Sequence, residues 1–112
     1  MLRDYESMVL VTPDLDPEGA KGVIEEIREL VGSAGGEVVR VEEWGLRDLA
    51  YPIRKKTRAY YFVLYFRAPG DFVREYERAL ELKEPVLRYL TIRLEKGIPE
   101  PQGEETCSTS TG

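Results

Sequence analysis

At 112 residues, with 42% apolar and 33% charged side chains, the chain has material for one domain built around one core. It has no histidine and a single cysteine, Cys107, which excludes an internal disulfide, a Cys/His zinc site and the Ser–His and Cys–His nucleophile pairs. The formal charge is −5, no apolar run approaches the ~20 residues of a membrane helix, and Asp4 and Glu6 stand where a signal peptide would be apolar, so the expected compartment is the cytoplasm.

Residues 2–12 read as a strand. Tyr5, Met8, Val9, Leu10 and Val11 put apolar groups on both sides, the pattern of an interior strand. "TPDLDPEG" breaks it, with Asp16 as N-cap and Pro17 at the first helical position. Ala20, Val23, Ile24, Ile27, Leu30, Val31 and Ala34 then recur at helical spacing over about 17–34. Gly35 and Gly36 end that helix. A second strand starts near Glu37 and bends at Gly45 towards Leu49, followed by a long basic connection. "AYYFVLYF" at 59–66 is the clearest strand, with Tyr60, Phe62, Leu64 and Phe66 on one face and Tyr61, Val63 and Tyr65 on the other. Asp71 is placed to cap a second helix, whose inner stripe is Phe72, Val73, Tyr76, Ala79, Leu80 and Lys83. Glu84-Pro85 stops it, and "VLRYLTIRLE" at 86–95 forms the fourth strand.

The order βαββαβ with right-handed crossovers predicts an α+β, ferredoxin-like sandwich: a four-stranded antiparallel sheet with two helices on one face. In that topology the second and fourth strands lie at the edges, where unpaired backbone can recruit a partner. The domain is expected to span 1–96, and residues 97–112 have the acidic, Ser/Thr-rich composition of a disordered tail. Tyr51-Pro52 is expected to be trans.

The charge is unevenly spread. The first helix carries −3, the second −2 and the tail −3 against −5 overall, so sheet and connections stand at +3. "GLRDLAYPIRKKTRAYY" at 45–61 alone holds five of the sixteen cations: Arg47, Arg54, Lys55, Lys56 and Arg58. A phosphate backbone responds to the field within about 10 Å at ~0.1 M salt, so an acidic protein can bind RNA through a local basic patch.

"YE" at 5–6, "PDLD" at 13–16, "EEWGLRDLAYPIRKKTRAYY" at 42–61 and "VLRYLTIRLE" at 86–95 occur together and in order. They resemble the family of the sixth protein of the bacterial small ribosomal subunit over about residues 2–96, most specifically at Gly45, Leu46, Arg47, Leu49, Ala50, Tyr51, Pro52 and Ile53. The resemblance implies a ferredoxin-like structural constituent of that subunit, in the cytoplasmic ribosome. It also implies that the chain pairs with the eighteenth small-subunit protein and binds the central domain of the small-subunit ribosomal RNA during assembly. It implies no cofactor, no small-molecule substrate, no membrane and no enzymatic activity. Asp48, where the family usually has a base, and Leu2, at a position often basic, depart from the pattern.

The RNA-binding candidates are Arg3, Arg47, Arg54, Lys55, Lys56, Arg58, Arg88 and Arg93, since arginine grips phosphate oxygens bidentately and lysine adds a point charge. The partner-protein candidates are Trp44, Leu46, Leu49, Tyr51 and Ile53 along an edge strand. No RNP1-type run is present, which disfavours base stacking on Tyr61, Val63 and Tyr65. Two other classes remain at this stage. One is a free-standing ferredoxin-like regulatory or RNA-binding domain; a pocket for a small effector in it would want a Gly-rich turn where "TPDLDPEG" stands. A carboxylate enzyme would need Glu6, Glu42 and Glu43 to converge.

Overall fold

A computed structural model describes residues 1–99. Its elements are β1 (Leu2–Val11), α1 (Pro17–Ser33), β2 (Glu37–Ile53), β3 (Lys56–Pro69), α2 (Phe72–Leu82) and β4 (Val86–Arg93). The strands form one antiparallel sheet in the order β2-β3-β1-β4, with β2 and β4 at the edges as expected.

Each boundary has a local cause. Asp16 caps α1, its Oδ1 accepting from the Gly19 amide at 2.7 Å. The helix ends where Gly35 takes φ +86° and the Gly36 amide turns back to the Val31 carbonyl at 3.0 Å. Gly36 must stay small, because a Cβ there would lie 2.4 Å from the Arg67 carbonyl oxygen. At α2 the expectation fails in detail: Asp71 sits in the right-handed region and makes no side-chain capping bond. A capping side chain must come from extended backbone to reach the N2 or N3 amide, and Asp71 is not extended.

Both helices cover one face. Ala20, Val23, Ile24, Ile27 and Val31 from α1 and Phe72, Tyr76 and Leu80 from α2 pack on Tyr5, Val9, Val11, Phe62, Leu64, Phe66 and Val86. Tyr76 is the centre of that core. Its ring lies 4.9 Å from Phe66 and 5.8 Å from Phe72. Its hydroxyl donates to Ser7 Oγ at 2.8 Å, and Ser7 Oγ lies 3.1 Å from Thr91 Oγ1. One polar chain thus joins α2, β1 and β4 in an otherwise apolar layer, and every member has a partner.

The second strand corrects the sequence reading most. The basic stretch is not a long connection; β2 runs on to Ile53 and forms a hairpin with β3. The turn is only Arg54-Lys55, with Ile53 opposite Lys56 and φ of 51° and 67° at the two turn residues. Two left-handed residues define a type I′ turn, which usually takes Asn-Gly because a Cβ is strained there. The register is broken three times along this pair. At the second break Trp44 is the extra residue, between Glu43 opposite Phe62 and Gly45 opposite Tyr61, and Gly45 supplies φ +83°. All described peptide bonds, Tyr51-Pro52 included, are trans.

Two stability outcomes follow. Lys55→Gly relieves one left-handed side chain and should raise unfolding free energy by about 1 kcal/mol, seen as a higher urea midpoint at unchanged slope. Tyr76→Phe removes the buried donor to Ser7 and should cost about 1–2 kcal/mol by the same assay; an unchanged midpoint would show that the polar chain does not matter.

Candidate RNA and partner interface

The sheet face away from the helices is built from cross-strand rows. One row runs Trp44, Tyr61, Leu10 and Arg88; the next Glu42, Val63, Met8 and Leu90; the next Arg40, Tyr65, Glu6 and Ile92. The face is only partly open. Val63 is 1% and Tyr65 8% exposed, because neighbours cover them. The Arg40 guanidinium lies 4.3 Å from the Tyr65 ring centre and bonds Glu42 at 3.2 Å and the Pro99 carbonyl at 2.8 Å. Burial, then the nearby Glu6 and Glu42 charges, push the Tyr65 phenol above its ordinary pKa. A second cluster of Leu10, Ala59 and Leu87 is covered by Leu49, Ile53, Met8 and Tyr61. Tyr61, Val63 and Tyr65 therefore do not form an open platform for base stacking. What stays open is Trp44 at 40%, Leu90 at 63% and Ile92 at 46%.

The five partner-protein candidates separate. Trp44 stacks on Tyr61 on this face, with ring centres 6.4 Å apart and planes 2° from parallel. Leu46, one bulge later, points to the helix side, where it lines a groove of about 350 Å³ with Pro17, Tyr60 and Phe62. Leu49 and Ile53 are half-buried in the second cluster. Tyr51 is exposed and takes a hydrogen bond from Arg88 Nη1. The bulge at Trp44 inverts the alternation, so Leu46 faces the helix side while Trp44 faces away from it. Leu90 and Ile92, which alternate in "VLRYLTIRLE" and were not among the five candidates, are exposed on the same face as Trp44.

The eight cationic candidates also divide. Arg47, Arg54, Lys55, Lys56, Arg58 and Arg88 gather at the end of the sheet where the hairpin turns, while Arg3 and Arg93 lie at the opposite end. Three of the eight are neutralised locally. Lys56 pairs with Asp14 at 2.7 Å, Arg58 with Asp48 at 3.0 Å and Arg93 with Glu95 at 3.7 Å. The Lys56 ammonium holds the Asp14 carboxyl below its usual value, by hydrogen bond first. Asp48, the departure noted in the sequence, is thereby the partner of Arg58. Arg47, Arg54, Lys55 and Arg88 have no carboxylate partner among the described residues. Arg47 donates to the Trp44 carbonyl at 3.0 Å and stacks 5.5 Å from its ring; Arg54 donates to the Glu84 carbonyl at 3.1 Å; Arg88 lies 5.5 Å from the Tyr51 ring centre. These contacts orient the guanidiniums while leaving their charge uncompensated.

Carboxylates do not converge. Glu42 bonds Trp44 Nε1 at 3.2 Å on the open face, while Glu43 lies 3.9 Å from Lys21 on the helix side. No group of three His, Cys, Asp or Glu fit to hold a metal exists among the described residues. No helix among them is long and apolar enough to cross a membrane.

Fold and surface together define a ferredoxin-like domain that displays charge and apolar area. The family model described as Ribosomal protein S6 matches residues 4–93, and the chain belongs to that family. It is 46% identical over 92 residues to small ribosomal subunit protein bS6 of Caldanaerobacter subterraneus subsp. tengcongensis, covering 82% of this chain and 97% of that one. It is 44% identical over 95 residues to small ribosomal subunit protein bS6 of Dictyoglomus turgidum, covering 85% and 98%. Among solved structures, 30S ribosomal protein S6 from Thermotoga maritima superposes with a TM-score of 0.79 at 29% identity, over 84% of this chain and 89% of that one. The chain is accordingly a structural, non-enzymatic protein of the small ribosomal subunit.

Tyr89 gives a spectroscopic handle on this end of the sheet. Its hydroxyl donates to Glu81 Oε2 at 2.6 Å, which, with some desolvation, pushes its pKa up to about 12. Glu81→Gln should bring a tyrosinate transition in ultraviolet titration down towards the ordinary value near ~10. No change on substitution would break the assignment.

Proposed function

We propose that the chain binds the central domain of the small-subunit ribosomal RNA together with the eighteenth protein of the subunit, as one assembly unit. The observation that carries this is that free charge and free apolar area lie side by side on the sheet. Arg47, Arg54, Lys55 and Arg88 supply uncompensated cations at the hairpin end of the sheet. Trp44, Leu90 and Ile92 supply apolar area on the adjoining face. The first suits phosphate oxygens and the second suits a protein, so RNA and partner fit side by side. Lys56, Arg58 and Arg93 take part less, since each must first leave a carboxylate. Arg3, at the far end, belongs to a separate contact if it touches RNA. Leu46 and Tyr51 flank the partner face on the β2 edge, while Leu49 and Ile53 act through the fold beneath it.

Co-sedimentation in a sucrose gradient tests the placement: the chain should travel with small subunits through moderate salt, and a chain found wholly at the top would sink the proposal. Changing Arg47, Arg54, Lys55 and Arg88 together to Gln should weaken association and flatten its salt dependence by up to about four counterions. Changing Lys56 and Arg58 should do less. For the protein partner, Leu90→Asp with Ile92→Asp should abolish heterodimer formation in calorimetry with circular dichroism unchanged; retained affinity would remove that face from the interface.

A further inference from the structure

Arg40 fixes the point from which the C-terminal segment departs. After β4 the Leu94 amide donates to the Asp4 carbonyl at 2.8 Å. Gly97, at φ +86°, then closes a turn in which its amide donates to the Leu94 carbonyl at 3.3 Å. The chain crosses the end of the sheet to the opposite edge, where Arg40 Nη1 on β2 donates to the Pro99 carbonyl at 2.8 Å. That guanidinium is held from two further sides, by Glu42 at 3.2 Å and by the face of Tyr65 at 4.3 Å, and its side chain is only 20% exposed. Pro99 is thereby delivered to the open face of the sheet.

The sequence that follows, "EPQGEETCSTSTG", has three glutamates and neither lysine nor arginine. Beside the anchor, Glu6 and Glu42 are negative and repel it. Farther along the same face stand Arg47, over the Trp44 ring, and Arg88, in the row of Trp44, Tyr61 and Leu10. Both are exposed, and neither has a carboxylate partner among the described residues. From Tyr65, opposite Arg40, to Ala59, opposite Arg47, is six residues of β3, about 20 Å. Arg88 is two rows along and three strands across from Arg40, again about 20 Å. Glu104 and Glu105 stand five and six residues beyond Pro99, an extended reach of about 17–21 Å. Sign and distance match at both arginines.

We infer that the C-terminal segment is the resident ligand of Arg47 and Arg88: in the free protein, Glu104 and Glu105 fold back across the open face and pair with them. Each pair is exposed and weak by itself. Tethering at Arg40 makes the contact intramolecular, with an effective concentration on the order of millimolar, so weak pairs suffice. The fold-back shields two cations until a stronger polyanion displaces the glutamates. That regulatory meaning rests on the proposed RNA contact; the fold-back itself does not.

Cys107, the only cysteine in the chain, lies two residues past Glu105 and accepts a nitroxide label. Paramagnetic broadening of amide signals is then read in the full, nitrogen-15-labelled chain at ~0.05 M salt. Broadening should concentrate on β2 near Arg47 and on β4 near Arg88, spare α1 and α2, and fall away at ~0.5 M salt. Glu104→Gln with Glu105→Gln, which leaves the folded domain untouched, should lower it about threefold. Arg40→Gln should spread it over both faces of the molecule. Broadening that is absent, centred on the helices or undiminished in the double glutamine variant overturns the inference. So does broadening of an unlabelled nitrogen-15 chain by a spin-labelled second copy at the same sites, which would place the contact between molecules. A second arm adds single-stranded hexauridylate. It should relieve the broadening as it binds, and bind the double glutamine variant about threefold tighter than wild type. Hexauridylate that binds neither chain while the broadening persists defeats the RNA reading alone. Hexauridylate that binds both chains equally, with no broadening, defeats the fold-back alone.

Discussion

A four-stranded sheet with both helices on one face has a second face without a covering layer, and most of the molecule's distinctive features follow from that. The helix side is resolved by Tyr76, which fills the core with a ring and ties three elements through its hydroxyl. On the other side the chain improvises. Leu49 and Ile53 from the long hairpin cover Leu10, Ala59 and Leu87 at one end. Arg40, stacked on Tyr65 and bonded to Glu42 and the Pro99 carbonyl, covers the other. Apolar area that neither cover hides remains at Trp44, Leu90 and Ile92.

This division explains how one small domain can serve two kinds of partner. Burial of apolar area is non-directional and suits a protein surface, whereas phosphate attraction is long-ranged and screened by salt. Placing them at adjoining regions lets RNA steer association while the apolar face sets which protein joins it. The internal ion pairs refine the charge further. Of eight cations nominated from the sequence, Lys56, Arg58 and Arg93 are already matched to acids, so the surface field comes from fewer residues than a count suggests.

The hairpin is where the local rules of sequence and the demands of the site disagree. Arg-Lys is a poor choice for a type I′ turn, and a sequence reader looking for Asn-Gly sees a basic connection instead of two strands. The bulge at Trp44 has the same effect on a smaller scale: one extra residue turns Leu46 to the opposite face from the one alternation predicts. Both errors concern the same segment, and both arise because strand pairing, a non-local interaction, overrode the local signal.

Element order, the two amphipathic helices, the central β3 and the family resemblance were legible in the sequence, because helical periodicity, alternation and capping residues such as Asp16 act over a few positions. So was the basic character of residues 45–61, which needs only counting. Which of those cations are free and which apolar side chains face out were decided by tertiary structure. Those facts depend on register and on salt-bridge partners distant in the chain, such as Asp14 for Lys56, and no pattern along the sequence carries that information.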